Sequence, residues 1–198
     1  MGPISQLSIE EEKILIIYLD TMMKQGKLRP SSSTVRSPIL CVPKPNGKGL
    51  RLCIDHRHLN DFTKKDRTPL PIIEELSSRV KGATHRTKVD LKSGFYLIRM
   101  ALGHEKYTAF HTKFSLYEYM VMPFGLSNAP ATCQREINRI LRPLLGMELV
   151  IKTDVHIDKD DGMVVVAYID DTLIATKGSL ETHHKQVSKV FQLLMDTK

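Results

Sequence analysis

Nothing in the 198-residue sequence approaches the run of roughly 18 apolar residues that a membrane-spanning helix needs. The N-terminus lacks a basic region followed by an apolar stretch, so no signal peptide is expected, and the chain reads as soluble and intracellular. Cysteine is scarce. Cys41, Cys53 and Cys133 are odd in number and fit neither a CxxC pair nor a secreted framework, which suits reduced core residues and disfavours zinc. His183 and His184 stand together on an expected helix with no Cys or His at ligand spacing, so they read as a solvated helix face. Internal repeats and low-complexity tracts are also lacking.

What is present is ordinary for a globular chain: 41% hydrophobic and 26% charged residues, enough for one domain or one domain with a lobe. Lys and Arg number 29 against 22 Asp and Glu, giving a net charge of +7 and a pI near 9.3. That excess permits a polyanionic partner without requiring one.

Hydrophobic periodicity and turn residues place the elements. Ser8 and Glu11 form a capping box ahead of Ile14, Ile17, Tyr18 and Met22, so a helix is expected over 8–25, ending at Gly26. Strands over 39–43 and 50–55 flank a basic connection containing Pro45, Asn46 and Gly47, a hairpin signal. A short helix is expected over 72–81, opened by Pro71 and closed by Gly82. Strands are expected over 86–91, 95–100, 106–111 and 116–122. A helix starting near Ser127 and Asn128 turns Cys133, Ile137, Ile140, Leu141 and Leu144 inward. A hairpin over 163–176 and a last helix from Ser179 to about Met195, presenting Val187, Val190, Phe191 and Leu194, complete the pattern. Helices mixed with hairpins, without regular alternation, imply an α+β fold with an antiparallel sheet packed on helices.

The most informative residues are Tyr168, Ile169, Asp170 and Asp171, set between two apolar runs. Adjacent carboxylates at the tip of a hairpin repel one another, a cost that a divalent cation removes. Two such residues with a third from a neighbouring strand are how two-metal phosphoryl-transfer sites gather oxygen ligands. Asp90, at the end of the strand over 86–91, is the candidate third carboxylate. Taken alone, Asp-Asp is more often simply a polar turn between two strands.

The neighbouring motifs decide between these. Val42-Pro43-Lys44-Pro45-Asn46-Gly47, Arg51-Leu52-Cys53-Ile54-Asp55-His56-Arg57-His58-Leu59-Asn60, Pro69-Leu70-Pro71, Lys88-Val89-Asp90-Leu91-Lys92-Ser93-Gly94-Phe95, the run from Val121 through Pro123-Phe124-Gly125 to Thr132, and Tyr168-Ile169-Asp170-Asp171 occur in one order. In that order they resemble the reverse transcriptase of gypsy-type LTR retrotransposons. The resemblance runs from about Ser8 to Lys198 and is interrupted only around 147–162.

The resemblance implies a polymerase right-hand fold: fingers over 1–85 with the N-terminal helix, then mainly palm over 86–198, with a fingers segment at about 100–125 and an acidic insert at 147–162. It implies that Asp90, Asp170 and Asp171 are catalytic and, with the backbone carbonyl of Leu91, hold two Mg²⁺ ions, Mn²⁺ being an alternative. Lys44 and Arg51 would neutralise the triphosphate. Phe95 would lie under the sugar of the incoming nucleotide and exclude a 2′-hydroxyl. Phe124 and Gly125 would pack against the nucleotide. Arg57, Asn60, Pro130, Gln134, Tyr168 and Ile169 would contact template or primer, with Arg57 and Asn60 alternatively bracing the fingers hairpin and Asp55 pairing with a nearby cation. Partners implied are an RNA or DNA template with primer and deoxynucleoside triphosphates, with no membrane. The implied location is a cytoplasmic retrotransposon particle, with the nucleus as an alternative.

Three positions depart from the family pattern: Cys133 where Phe is common, His56 where Tyr is common, and Ser115 where a turn Gly is usual; none is expected to touch the metal site. Asp154, His156, Asp158, Asp160 and Asp161 invite a metal loop, but the spacing fails the EF-hand pattern and an acidic surface hairpin is expected. The sequence ends at Lys198, ahead of the thumb and ribonuclease H of relatives, so these or a second subunit would have to be supplied. Two other readings stay open: a non-catalytic nucleic-acid-binding or assembly remnant of the same fold, and an RNA-dependent RNA polymerase, which the bulk of Phe95 disfavours.

Overall fold

The computed structural model describes residues 7–44, 47, 49–68, 72, 74, 78, 80–144, 155–158 and 162–196. Contacts divide the chain into two compact units, 1–65 with 95–129, and 66–94 with 130–198. Residues 66–85, expected with the fingers, therefore group with the second unit. Local bonds account for this: Arg135 ion-pairs Asp66 at 3.0 Å, and Arg86 donates to the Val80 carbonyl at 3.2 Å.

In the first unit, helix α1 (Ile9–Lys24) begins at the expected capping box, with the Ser8 hydroxyl accepting from the Glu11 amide and the Glu11 carboxylate accepting from the Ser8 amide at 2.7 Å. It buries Leu15, Leu19 and Met22 against Leu28, Ile39, Phe110 and Tyr119. Strand β1 (Leu28–Pro30) pairs antiparallel with β6 (Leu116–Tyr119), which pairs with β5 (Phe110–His111). Strands β2 (Ile39–Pro43) and β3 (Leu50–Ile54) form the expected hairpin, in register from Ile39↔Ile54 to Pro43↔Leu50, and α2 (Arg57–Phe62) follows.

Two expected strands are not formed as such. Over 95–100 the chain makes a 3₁₀ turn, Gly94–Leu97, then a single bridge between Arg99 and Val121. Over 106–111 a 3₁₀ turn at Glu105–Thr108 precedes the two-residue β5. In both places apolar residues serve tertiary packing: Tyr96 brings its hydroxyl to that of Tyr18 at 3.2 Å, and Phe110 packs on Tyr119 of β6 with ring centroids 5.4 Å apart.

The second unit is a four-stranded antiparallel sheet with order β4-β9-β8-β7, made of β4 (His85–Asp90), β7 (Val155–Asp158), β8 (Met163–Tyr168) and β9 (Asp171–Thr176). Helices α3 (Ala129–Leu141) and α4 (Leu180–Asp196) cover one face, where Ile137, Leu141, Met163, Val165, Ala167, Ile174 and Val190 form a core. Val166 and Ala175 pack with Val80 in a second cluster, so β8 is apolar without alternation. The expected helix over 72–81 falls largely outside the described residues. Of the acidic insert, 155–158 is no separate surface hairpin: it adds an edge strand to β8, from Val155↔Val166 to Asp158↔Met163. The rest of the insert lies outside the described residues.

The two helices differ from expectation in detail. Phe191 is 42% exposed, and His183, expected in solvent, is 4% exposed. Its ring nitrogens meet the hydroxyls of Thr176 and Thr87, each at 2.8 Å, which satisfies both and locks α4 onto β9 and β4. His184 is exposed, as expected.

Candidate active site

The second unit carries the carboxylates. Strands β8 and β9 are joined by two residues, Ile169 and Asp170, with Tyr168 opposite Asp171. So short a hairpin needs left-handed backbone in its turn. Ile169 supplies it, at φ 57°. For a β-branched residue this costs of order 1–3 kcal/mol and persists only where neighbours hold it.

The holder is α3. Gln134, 1% exposed, accepts a 2.7 Å hydrogen bond from the Ile169 amide through Oε1 and donates to the Ala167 carbonyl at 3.0 Å through Nε2. Beside it the Cys133 thiol donates to the Ile169 carbonyl across 3.6 Å. Cys133, expected to stand clear of the site, therefore touches the carboxylate hairpin. Burial, and secondarily the charge of Asp170, pushes its thiol up to about 11, so it stays protonated and inert at neutral pH.

On the other side β4 pairs with β9 so that Asp90 lies directly opposite Asp171. Directly opposed residues of an antiparallel pair have Cβ atoms about 4.5–5.5 Å apart, and like charges placed so are destabilising. Asp170 joins them through the turn: its carbonyl accepts from the Leu91 amide at 3.0 Å. Gly94 closes the approach, since a Cβ there would lie 3.1 Å from that of Asp170 and 3.5 Å from that of Leu91. The Leu91 carbonyl accepts from the Gly94 amide at 3.0 Å and keeps a second lone pair. Lys88 answers one of these carboxylates directly, with Nζ 3.0 Å from Asp171.

Among the described residues no three His, Cys, Asp or Glu side chains are gathered around one point to hold an ion, and Asp171 is turned to Lys88. The donor set itself, carboxylate and backbone carbonyl oxygens only, suits a hard divalent cation such as Mg²⁺ or Mn²⁺. Pro130 and Tyr168 are half-buried, in the first turn of α3 and at the end of β8.

The first unit carries the cations and aromatics. Lys44 and Arg51 are exposed on the β2–β3 hairpin, and neither makes an ion pair among the described residues. Arg57 is occupied: its guanidinium forks onto Asp55 at 2.7 to 3.1 Å, and these bonds hold that carboxyl down to about 2. Asn60 braces a bend, donating to the Gly125 carbonyl at 2.7 Å and accepting from the Ser127 amide at 2.8 Å. Gly125 is needed there for its φ of 91° and not for space, since a Cβ would meet only ordinary contacts. The braced bend presents Phe124, 50% exposed, edge-on to Phe95 at 4.9 Å and to Tyr96 at 5.3 Å between ring centroids. His56, under the same bend, is 2% exposed, and its Nε2 has no partner among the described residues.

The structure thus unites Asp90, Leu91, Asp170, Asp171, Gln134 and Ile169 in one unit, and Lys44, Arg51, Arg57, Asn60, Phe95, Phe124 and Gly125 in the other. Sequence reasoning missed the supporting roles of Gly94, Lys88 and Gln134. The signal for the first two was adjacency to Asp90; nothing in the sequence marks the bonds of Gln134.

The relatives of this chain agree with these parts. Residues 42–198 match the family described as reverse transcriptase (RNA-dependent DNA polymerase). The retrovirus-related Pol polyprotein from transposon 297 of Drosophila melanogaster is 39% identical over 179 residues, 88% of this chain. The transposon Tf2-3 polyprotein of Schizosaccharomyces pombe is 39% identical over 172 residues, 87% of the chain. This chain spans only 15% and 12% of those polyproteins. Among solved structures, the foamy viral protease-reverse transcriptase in complex with double-stranded DNA superposes with a TM-score of 0.80 at 22% identity, over 98% of this chain and 31% of that one. The same viral protein in complex with an RNA/DNA hybrid gives 0.76 at 21% identity, over 98% and 24%. The α+β architecture is therefore that of polymerase fingers and palm, and the chain belongs to the reverse transcriptase family.

Proposed function

We propose that this chain is the fingers and palm of an RNA-directed DNA polymerase from a gypsy-type LTR retrotransposon, working within a cytoplasmic particle. It would extend a primer on an RNA or DNA template: the 3′-oxygen loses its proton and bonds to the α-phosphorus of a deoxynucleoside triphosphate, and the bond to the departing pyrophosphate breaks. The observation that carries this reading is the register that sets Asp90 opposite Asp171 with Asp170 in the adjoining turn. A like-charged arrangement so costly to fold has a use once divalent cations are bound.

Asp90, Asp170, Asp171 and the Leu91 carbonyl would hold two Mg²⁺ ions, which supply Lewis acidity toward the 3′-oxygen and the pyrophosphate. The remaining work falls to side chains. Lys44 and Arg51, on an exposed hairpin and without an ion pair among the described residues, would bind triphosphate oxygens. Phe95 would lie against the sugar and Phe124 with Gly125 against the nucleotide. Pro130, Tyr168 and Ile169 would line the path of template and primer; Arg57 and Asn60 would act there through the elements they brace.

Primer extension on poly(A) with oligo(dT), dTTP and Mg²⁺ tests this, with Asp170→Asn as the control. Extension by the parent and its loss in the variant are expected. A parent that binds an RNA/DNA hybrid without extending it, under Mg²⁺ and Mn²⁺ alike, would instead favour a non-catalytic binding remnant. Repeating the assay with a relative's thumb segment fused to the chain would show whether extension needs that part.

A further inference from the structure

We infer that Gln134 is a positioning residue of the carboxylate site: its side-chain amide holds Ile169 in the left-handed conformation and thereby fixes the directions of Asp170 and Asp171. This rests on the nucleotidyl-transfer reading above and goes beyond it: in place of the template or primer contact that the resemblance implies for Gln134, its amide is spent on the turn that carries the carboxylates.

The sheet shows why an amide is needed. Strand β7 pairs with β8 only as far as Val166, opposite Val155. The next backbone groups on β8 would have no ladder partner from its described residues. Gln134 takes up the ladder there: Nε2 donates to the Ala167 carbonyl at 3.0 Å and Oε1 accepts from the Ile169 amide at 2.7 Å. One carboxamide so reproduces what a neighbouring strand offers to residues i and i+2, a carbonyl and an amide on the same edge. The clamp spans Tyr168 and ends on the strained residue itself, at φ 57°. It is also rigid, for Gln134 is 1% exposed and its Nε2 lies 3.2 Å from Asn138 Oδ1 on the same helix. Asp170 and Asp171 follow Ile169 directly, so a change in its φ would swing both carboxylates.

A cycle of variants in the 198-residue chain tests this. Gln134→Met keeps the volume and removes both bonds. Its Mn²⁺ affinity, read by electron paramagnetic resonance, and its kcat for dTTP should each fall about tenfold, with KM little changed. Ile169→Gly adopts the left-handed turn without a clamp. In that background Gln134→Met should cost less than about twofold. Should Gln134→Met fail to fold, Gln134→Asn, one methylene too short to reach both partners, replaces it.

Equal losses in both backgrounds would make Gln134 an ordinary core residue and overturn the inference. So would unchanged Mn²⁺ affinity in Gln134→Met. A parent that binds no Mn²⁺ would overturn the nucleotidyl-transfer reading first and this inference with it, so the two failures are told apart by the parent alone.

Discussion

Lys88 Nζ stands 3.0 Å from Asp171 Oδ2, from a position on β4 two residues before the Asp90 that faces Asp171 across the strands. Its pKa is raised, chiefly by the hydrogen bond to Asp171, then by the charges of Asp171, Asp90 and Asp170. The Lys88 ammonium thus pairs with Asp171 and feels the charges of Asp90 and Asp170, so it would compete with a divalent cation for the site.

Removing that competitor should strengthen metal binding. Lys88→Met is expected to tighten Mn²⁺ binding about two- to fivefold, the modest size reflecting a solvent-exposed pair. The effect should shrink as salt rises, because added ions screen the lysine too. Titration calorimetry at low and high ionic strength checks both. Weaker binding in the variant would mean that Lys88 helps to organise the carboxylates.

Gly94 sets how closely the turn approaches β4. Its backbone is open to alanine, since its φ lies outside the left-handed range, so only space forbids a Cβ, which would lie 3.1 Å from the Cβ of Asp170. The hairpin is clamped from the far side by Gln134 and cannot retreat freely. Gly94→Ala should therefore destabilise by about 1–3 kcal/mol and lower metal affinity more than stability alone explains. Thermal melts with and without Mn²⁺ separate the two: the variant should lose most of the stabilisation that Mn²⁺ gives the parent.

His56 predicts a pH dependence. Burial pushes its pKa down to about 4, against an opposing pull from Asp55. The unfolded chain, at about 6.5, takes up the proton first as pH falls. The residue therefore costs nothing above that value and destabilises progressively from there down to about pH 4. Asp55, held near 2 by Arg57, loses its contribution only at lower pH. His56→Phe should remove up to about 3 kcal/mol of acid destabilisation in this window. Urea unfolding of parent and variant at about pH 7 and about pH 4.5 measures the difference; parallel losses would show that His56 titrates as in water.

How much of this could be read beforehand depends on how local each cause is. The capping box at Ser8 and Glu11, the β2–β3 hairpin and the hairpin over 163–176 were legible because their signals lie within a few residues. The turn itself falls on Ile169-Asp170, and Asp171 already belongs to β9, whereas the sequence pattern puts both carboxylates at the tip. The strands expected over 95–100 and 106–111 were not legible, because the apolar residues there answer to distant partners such as Tyr18 and Tyr119. His183 read as solvated because its two threonines lie on strands 96 and 7 residues away. The carboxylates themselves were plain. What supports them, Gln134 from behind and Gly94 from the side, exists only once α3 and β4 meet the hairpin.

Phe95 carries the last prediction, on sugar selection. Its ring is half-buried and meets Phe124 edge-on at 4.9 Å and 79°, and Phe124 in turn meets Tyr96, whose hydroxyl is tied to Tyr18. Anchored in this way, the ring would act as a wall against a larger sugar. Phe95→Val should raise the ratio of kcat/KM for UTP over dTTP by about tenfold or more, since a 2′-hydroxyl gains room while the carboxylates are untouched. Phe124→Val, which removes the outer ring and leaves the wall, should lower both rates with a smaller change in the ratio. If Phe95→Val instead lowered both rates equally and reduced Tm, the ring would be packing for the Phe124–Tyr96 cluster, and sugar selection would have to come from another residue.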